Sequence, residues 1–172
     1  CEITSEMLGP DAGQVRELRI LNRIVRWCDN GLKIEPDPRH AETKGIVNEK
    51  VKHRQWFRPF APSILREEVK NWFERDVDCP YMTSVIKFKE DVRGIVPAVV
   101  HFDGTGRLQT VTEKDNHWYY NFIKLFQQDT NVPIVLNTSF NDREPIVETP
   151  EHAIDCFTGT DIDYLYFYNE NI

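Results

Sequence analysis

The chain has 172 residues, of which 40% are apolar and 28% are charged, and its formal net charge is −7 at pH 7. A chain of this length can bury a hydrophobic core without disulfide bonds, so we expect one compact domain with at most a short appendage. The acidic balance disfavours nucleic acid as a partner, and no apolar run approaches the roughly 20 residues of a membrane span. We therefore expect a soluble, cytoplasmic protein with no membrane partner.

The four cysteines and the first residues exclude several classes. Cys1, Cys28, Cys79 and Cys156 are scattered, without a C-x-x-C pair or a histidine at zinc-binding spacing. We expect reduced thiols and no set of protein ligands for a metal. Residues 1–7 lack the basic and apolar regions of a signal peptide, and the first residue is not Met, so we expect a fragment of a non-secreted protein.

Residues 1–36 differ in character from the rest and are predicted to form an appendage. Apolar and basic residues mix between Arg16 and Trp27, and Asp29-Asn30-Gly31 then precedes Leu32-Lys33-Ile34. This order predicts a hairpin with an Asn-Gly turn. An amphipathic helix over 16–27 is the alternative, because periodicity alone does not separate the two.

From residue 37 onward the pattern predicts an α/β (α+β) domain with a mixed sheet and flanking helices. Acidic residues 67 and 68 suit the first turn of a helix, and an aromatic stripe of Trp118, Phe122, Leu125 and Phe126 has helical spacing. Pro150 suits the first position of a further helix. Helices are predicted at 41–47, 63–75, 116–128 and from Thr149 onward, and strands at 83–88, 97–102, 107–112, 133–136 and 164–168.

A basic–aromatic segment, residues 44–62, is the strongest local departure from the acidic composition. The segment contains a single acidic residue but several cations, with aromatic residues and two prolines interleaved among them. The cations are Lys44, Lys50, Lys52, Arg54 and Arg58, and the aromatic residues are Trp56, Phe57 and Phe60. A solvated basic face is the simpler explanation. The aromatic residues should nevertheless fix the backbone, and fixed lysine and arginine side chains bind phosphate oxygens well. We predict phosphate contacts from Lys52 and Arg58.

Two further stretches follow strands. Asp103-Gly104-Thr105-Gly106 predicts a turn whose backbone N–H groups approach an anion beside Arg107, with an ordinary hairpin turn as the alternative. The polar loop 137–141 leaves a buried strand, where open α/β sheets bind ligands, with a capped loop as its alternative. The chain has no P-loop, G-x-G-x-x-G, H-E-x-x-H or G-x-S-x-G motif. The residues alone therefore predict an anion or nucleotide site formed by Lys52, Arg58, Arg107, Asn137 and Ser139.

Taken together, five stretches resemble the C-terminal domain of the O-carbamoyltransferase family. They are residues 48–62, 101–111, 136–141, 144–147 and 149–153, in the order found in the family. The resemblance covers residues 37–172 and implies a YrdC-like fold that binds ATP and carbamoyl phosphate and forms carbamoyl adenylate, for O-carbamoylation of a small-molecule hydroxyl in biosynthesis.

The resemblance also assigns roles to the predicted residues. It implies that Lys52 and Arg58 hold phosphates, that Arg107 contacts the nucleotide or acyl phosphate, and that Asn137 and Ser139 line the same pocket. Mg²⁺ is expected with ATP, and a partner N-terminal transferase domain is expected to complete the transfer. The family's usual Gly before the Glu-Pro-Ile-Val segment is absent here, which bears on the shape of loop 141–144.

Residues 1–36 instead resemble a piece of a copia-type retrotransposon polyprotein, so we predict a fused gene with its seam near 37–42. Three functions remain open from the sequence. The first is the carbamoyl-adenylate-forming domain, and the second is a catalytically incomplete remnant that binds a nucleotide or a partner. The third, binding of nucleic acid through Arg16, Arg19, Arg23 and Arg26, is disfavoured by the acidic composition.

Overall fold

The computed structural model describes residues 24–28, 31–35, 37–142 and 145–162. The chain forms two compact units. One unit is Pro36–Thr138, and the other combines Cys1–Glu35 with Ser139–Ile172.

The unit Pro36–Thr138 is built on a four-stranded mixed sheet. The strands are β3 (Ala61–Leu65), β4 (Ser84–Lys87), β5 (Thr105–Val111) and β6 (Ile134–Asn137). The central strands β3 and β5 run parallel, while β4 pairs antiparallel with β5 and β6 pairs antiparallel with β3. The order across the sheet is β4-β5-β3-β6.

Helices flank this sheet. The longest, α3 (His117–Thr130), begins at Asn116, whose side chain accepts a hydrogen bond from the backbone N–H of Tyr119. The helix packs on β3 and β6 and ends at Asn131 in the left-handed conformation, a common helix stop. The shorter ones are α1 (Thr43–Ile46), which continues into a π-helical turn at Val47–Val51, and α2 (Val69–Trp72).

The predicted helix over 63–75 is wrong in its first part. Ser63, Ile64 and Leu65 belong to β3, and every residue of this strand is buried. A strand paired on both sides and covered on both faces has a continuous apolar run, and such a run does not show its period. Helical structure begins only at the short 3₁₀ turn Arg66–Glu68 and ends with α2.

Two smaller predictions are also corrected. The predicted strand 97–102 is a 3₁₀ turn at Pro97–Val99, because a proline after Val96 favours a turn and supplies no N–H to a ladder. The predicted apolar stripe of α3 holds at Phe122 and Phe126, which are buried, but Leu125 is exposed. Tyr119 and Ile123 take part in the core instead, at spacings of three and four residues.

The described part of the second unit contains an antiparallel hairpin and one helix. Strands β1 (Ile24–Cys28) and β2 (Gly31–Glu35) pair directly, so the predicted hairpin is confirmed for its described part, and residues 16–23 lie outside that part. Gly31 pairs with Cys28 and is therefore a strand residue. Helix α4 (Pro150–Thr158) begins at Thr149 as predicted, whereas the predicted strand 164–168 lies outside the described residues.

The predicted α/β class is confirmed by the mixed sheet and its flanking helices. The expected YrdC-like fold remains a prediction. Among the described residues, no helix is long and apolar enough to cross a membrane. In the same residues, Cys79 and Cys156 are buried thiols rather than halves of a disulfide.

Candidate functional site

The sheet topology brings several predicted residues to one end of the sheet. Because β3 and β5 are parallel and β6 is antiparallel to β3, the starts of β3 and β5 and the end of β6 share this end. Ala61 pairs with Asn137, and Ser63 pairs with Gln109. Counting back two residues on the parallel strands brings Ala61 opposite Arg107. Arg107 and Asn137 thus occupy one row, two strand spacings or about 10 Å apart.

Arg58 enters the same end of the sheet from the basic–aromatic segment. It precedes Ala61 by three residues, a distance of at most about 11 Å even in a fully extended chain. Its backbone is held rather than loose, because its N–H donates to the carbonyl of Gln55 over 3.2 Å. Its side chain is exposed and available to an anion.

One buried amide organises the backbone of this segment. Asn48 is 0% exposed, and its Nδ2 donates to the backbone carbonyls of Trp56 and Arg58, each over 2.9 Å. Its Oδ1 accepts from Nε of Arg54 over 2.6 Å. The Arg54 guanidinium also lies over the Phe60 ring, 4.8 Å from its centre. The prediction that the aromatic residues fix the segment holds for the buried Phe60 but is wrong for Trp56 and Phe57, which are exposed, and Asn48 holds the backbone instead.

The cations of the segment differ in burial. Lys52 is only 5% exposed, and its backbone N–H donates to Val47 over 3.0 Å. A lysine is rarely buried unless its charge is compensated, so a solvated basic face does not describe this residue. Burial, followed by the charge of Arg58, lowers the pKa of Arg54. Arg54 and Arg58 therefore lie close enough for their positive charges to interact.

Arg107 and Asn137 are joined through one residue of the loop before β4. Nε of Arg107 donates to the carbonyl of Met82 over 3.1 Å, and Nδ2 of Asn137 lies 3.7 Å from the Met82 sulfur. Met82 has a positive φ of 56°, which is uncommon for a residue with a side chain. Arg107 is exposed, so its terminal nitrogens remain as donors for an anion.

A polar network beneath this row was not predicted from the sequence. Oε1 of Gln109 accepts from the Ser63 hydroxyl and from Nδ2 of Asn137, each over 2.6 Å, while its Nε2 donates to Pro80 over 3.2 Å. The predicted helix 63–75 includes Ser63, and a helical residue would not be expected to contact Gln109 of a neighbouring strand. The signal was present in β5, where the two-residue alternation puts Arg107 and Gln109 on one face.

Ser139 belongs to the other unit, where its hydroxyl donates to Oδ1 of Asn141 over 2.7 Å. The structure therefore gives it a role within its own loop. The predicted anion-binding turn is engaged internally as well. Gly104, at φ 79°, donates to the His101 carbonyl, and the Asp103 carboxylate accepts from the N–H and hydroxyl of Thr105. Those N–H groups are thus used by the turn itself.

Two open pockets lie away from the predicted residues. One is bordered by Arg66, Thr112 and Tyr120, at the opposite end of the sheet, where β3 and β5 finish. The other lies within the second unit and is lined by α4 together with Asp142, Pro145, Ile146 and Glu148. The candidate site is therefore a surface row of polar groups at the sheet end.

Comparison with known proteins bears directly on this row. The family profile described as "Carbamoyltransferase C-terminus" matches residues 33–172, which include every residue of the candidate site. The chain belongs to the carbamoyltransferase C-terminal family. The predicted family resemblance is thereby confirmed, while no comparison supports a retrotransposon resemblance.

Relatives of this carbamoyltransferase C-terminal domain occur in bacteria and archaea. Nodulation protein NolO of Bradyrhizobium diazoefficiens is 44% identical over 75% of the chain, and an uncharacterized protein of Methanocaldococcus jannaschii is 42% identical over 76%. An uncharacterized Synechocystis protein is 36% identical over 91% of the chain. The chain spans 24%, 22% and 31% of the length of these relatives, respectively.

The Synechocystis match also concerns the first residues of this carbamoyltransferase domain. Residues 37–172 are 136 of the 172 residues, or about four fifths of the chain. A match over 91% of the chain therefore includes part of residues 1–36. The family profile likewise begins at residue 33, before the predicted seam at 37–42. The division into an appendage 1–36 and a domain 37–172 remains a prediction.

Proposed function

We propose that this domain binds ATP and carbamoyl phosphate and forms carbamoyl adenylate, which donates its carbamoyl group to a hydroxyl of a small molecule. The observation that carries the proposal is the row at the sheet end, where Arg107 and Asn137 share Met82 and Arg58 enters beside them. The family membership supplies the reaction class, and the basic row supplies groups suited to phosphates.

The proposed roles follow from the chemistry of the side chains. Arg58 and Arg107 are exposed planar cations, which grip two phosphate oxygens at once. Lys52 adds a positive charge fixed by its burial. Charge gathers on the oxygens around phosphorus during phosphoryl and nucleotidyl transfer, so cations already in place lower the barrier without a protein nucleophile.

The reaction balances as two displacements. Water first cleaves carbamoyl phosphate to carbamate and inorganic phosphate. An oxygen of the carbamate then attacks the α-phosphorus of ATP, the bond from that phosphorus to the β-phosphate bridging oxygen breaks, and pyrophosphate leaves. In this proposal the chain's residues bind, orient and neutralise charge in both steps.

The described residues contain no group of three His, Cys, Asp or Glu side chains that could hold a metal ion. We infer that Mg²⁺ enters with the triphosphate, whose charge it neutralises when bound. The transfer to the acceptor hydroxyl is assigned to an N-terminal domain, because the match to this chain covers only 20–31% of the length of these relatives.

Single substitutions in the row test the proposal. Arg58→Ala and Lys52→Ala should each weaken ATP binding by more than about tenfold, since a charge-assisted bond contributes roughly 1.5–3 kcal/mol. Isothermal titration with ATP and Mg²⁺ measures the affinities. Circular dichroism and thermal melts show whether each variant is folded, which matters most for the buried Lys52.

Lys114→Ala is the matched control. This exposed lysine follows the far end of β5 and lies beyond the opposite end of the sheet. Its removal changes the net charge by the same amount as Arg58→Ala or Lys52→Ala. It should leave the ATP affinity within about twofold of the wild-type value. Unchanged affinity in folded Arg58→Ala and Lys52→Ala would contradict the proposed site.

A domain that binds a nucleotide without turnover is the second candidate, because exposed arginines such as Arg58 and Arg107 bind phosphates whether or not a reaction follows. It predicts the same loss of affinity in these variants. It differs in predicting no pyrophosphate release.

A further inference from the structure

The orientation of the Asn137 amide is set by a chain of contacts that begins at a backbone carbonyl. The carbonyl of Pro80 can only accept, so the Gln109 atom facing it over 3.2 Å must be the donor Nε2. Oε1 of Gln109 therefore faces the other way. There it accepts from the Ser63 hydroxyl and from the Asn137 side chain, which must present Nδ2.

The consequence concerns the other half of the Asn137 amide. Nδ2 is engaged with Gln109 over 2.6 Å and lies 3.7 Å from the Met82 sulfur. Hydrogen bonds from described residues thus occupy the nitrogen, and Oδ1 is the atom left for a ligand. A carbonyl oxygen accepts hydrogen bonds and repels phosphate oxygens. The family resemblance places Asn137 in the pocket of the phosphate-binding cations, and in this orientation it would contribute an acceptor to that pocket.

We propose that Gln109 is a positioning residue that turns Oδ1 of Asn137 outward, so that Asn137 selects a ligand carrying an amino group on a planar carbon. Both proposed substrates carry such a group: the carbamoyl nitrogen of carbamoyl phosphate and the exocyclic amine of adenine. This inference rests on the proposed function for the identity of the ligand. Its first step, the orientation itself, is independent of any ligand.

Exchange of the Asn137 side-chain N–H protons tests the orientation. In the wild-type chain their bonds to Gln109 and Met82 should slow exchange with water. Gln109→Met keeps the length of the side chain but removes Oε1. It should speed exchange by about tenfold, which is the factor expected from the loss of one ordinary hydrogen bond. NMR of the ligand-free chain measures the rates. Equal rates in the two folded proteins would overturn the role of Gln109.

Two ligand pairs test the selection. Acetyl phosphate replaces the carbamoyl amine by a methyl group at the same charge, and ITP replaces the adenine amine by an oxygen. In one of the two pairs, the wild-type chain should bind the ligand with the amino group about tenfold more tightly than the ligand without it. The ligand without the amino group leaves Oδ1 of Asn137 without a hydrogen-bond donor. Gln109→Met should lose most of that preference while its affinity for inorganic phosphate stays unchanged.

A rescue variant and a control separate positioning from structure. Gln109→Glu keeps an oxygen in the place of Oε1 and should restore part of the preference, because its second oxygen replaces the donor Nε2 that faces the Pro80 carbonyl. Its added charge affects both members of the acyl phosphate pair alike. Gln128→Met alters an exposed glutamine of α3 and should change neither ratio. If Gln109→Met loses the preference for carbamoyl phosphate over acetyl phosphate, Oδ1 of Asn137 binds the carbamoyl amine. If it loses the preference for ATP over ITP, Oδ1 binds the adenine amine.

The failures are distinguishable. A wild-type chain that binds none of the four ligands would contradict the proposed function and the selection, while the exchange rates would still decide the orientation. Binding of ATP and carbamoyl phosphate with the same preferences in wild type and Gln109→Met would overturn the selection alone.

Discussion

At the scale of single residues, the turn before β5 contains a histidine that responds to pH. Nδ1 of His101 lies 3.1 Å from the Thr105 hydroxyl, which itself donates to Asp103. Partial burial lowers the pKa of His101 from its ordinary 6.5; the Asp103 charge raises it, and the Lys44 charge lowers it again. The neutral form is therefore the one that the fold favours.

The sign of the resulting pH dependence follows from this lowered pKa. The stabilisation from neutral His101 is present above pH 6.5 and is lost as the pH falls through the lower pKa of the folded state. We expect the free energy of unfolding to decrease from pH 7.5 to pH 5.5, and to decrease less in His101→Asn. Urea titrations at the two pH values measure both changes.

His152→Gln is the control for this prediction, because it removes an exposed histidine of the other unit. Its unfolding free energy should follow the wild-type decrease. An equal decrease in His101→Asn and wild type would contradict the assignment.

Residue chemistry predicted the row only in part. Arg107 and Asn137 follow from their places beside buried strands, and their shared contact with Met82 is consistent with a common site. Met82 and Gln109 carry no motif, and their roles depend on a loop that crosses to another strand. Ser139 and Asn137 share the predicted polar loop 137–141, although the hydrogen bond described for Ser139 is to Asn141 of that loop.

At the scale of elements, the packing of β5 against its neighbours depends on a glycine. A Cβ added at Gly106 would lie 2.5 Å from a ring carbon of Phe88 and 3.2 Å from Cγ of Pro62. Phe88 is fully buried and packs on Phe73 with ring centres 4.2 Å apart, so its ring has little room to move. Any side chain at position 106 therefore overpacks the core beneath the sheet.

Gly106→Ala is expected to lower the free energy of unfolding by about 1–3 kcal/mol, the usual cost of overpacking. Gly45→Ala is the matched control, because no atom lies within 4 Å of its added Cβ and it sits in α1. That change should be neutral or stabilise by up to about 1 kcal/mol. Urea titration compares the two variants, and equal effects would contradict the packing described for β5.

Elements with clear local signals were predicted well. Asn116 and Thr149 cap α3 and α4 through hydrogen bonds to the third residue beyond them, and such caps are visible in sequence. The central strand β3 was missed because its residues are buried on both sides and its partners come from distant positions. Pairing of this kind is a tertiary property that no local window contains.

At the scale of the whole molecule, the chain represents one part of a longer architecture in its relatives. It spans between 20% and 31% of the length of three relatives. They are the Synechocystis protein, NolO of Bradyrhizobium diazoefficiens and nodulation protein NolNO of Sinorhizobium fredii. The proposed division of labour follows from this span. Under the proposed function, this domain activates the carbamoyl group, and recognition of the acceptor hydroxyl is assigned to a partner N-terminal domain.

Release of pyrophosphate from ATP, measured with and without carbamoyl phosphate, tests the proposed activation most directly. The purified chain with Mg²⁺ should release pyrophosphate only when carbamoyl phosphate is present, and inorganic phosphate should not replace it. Arg107→Ala should reduce the rate at least tenfold, since it removes a phosphate-binding cation of the row. A folded chain that releases no pyrophosphate with ATP and carbamoyl phosphate at millimolar concentration would contradict the proposed function, and binding of ATP without release would favour the second candidate.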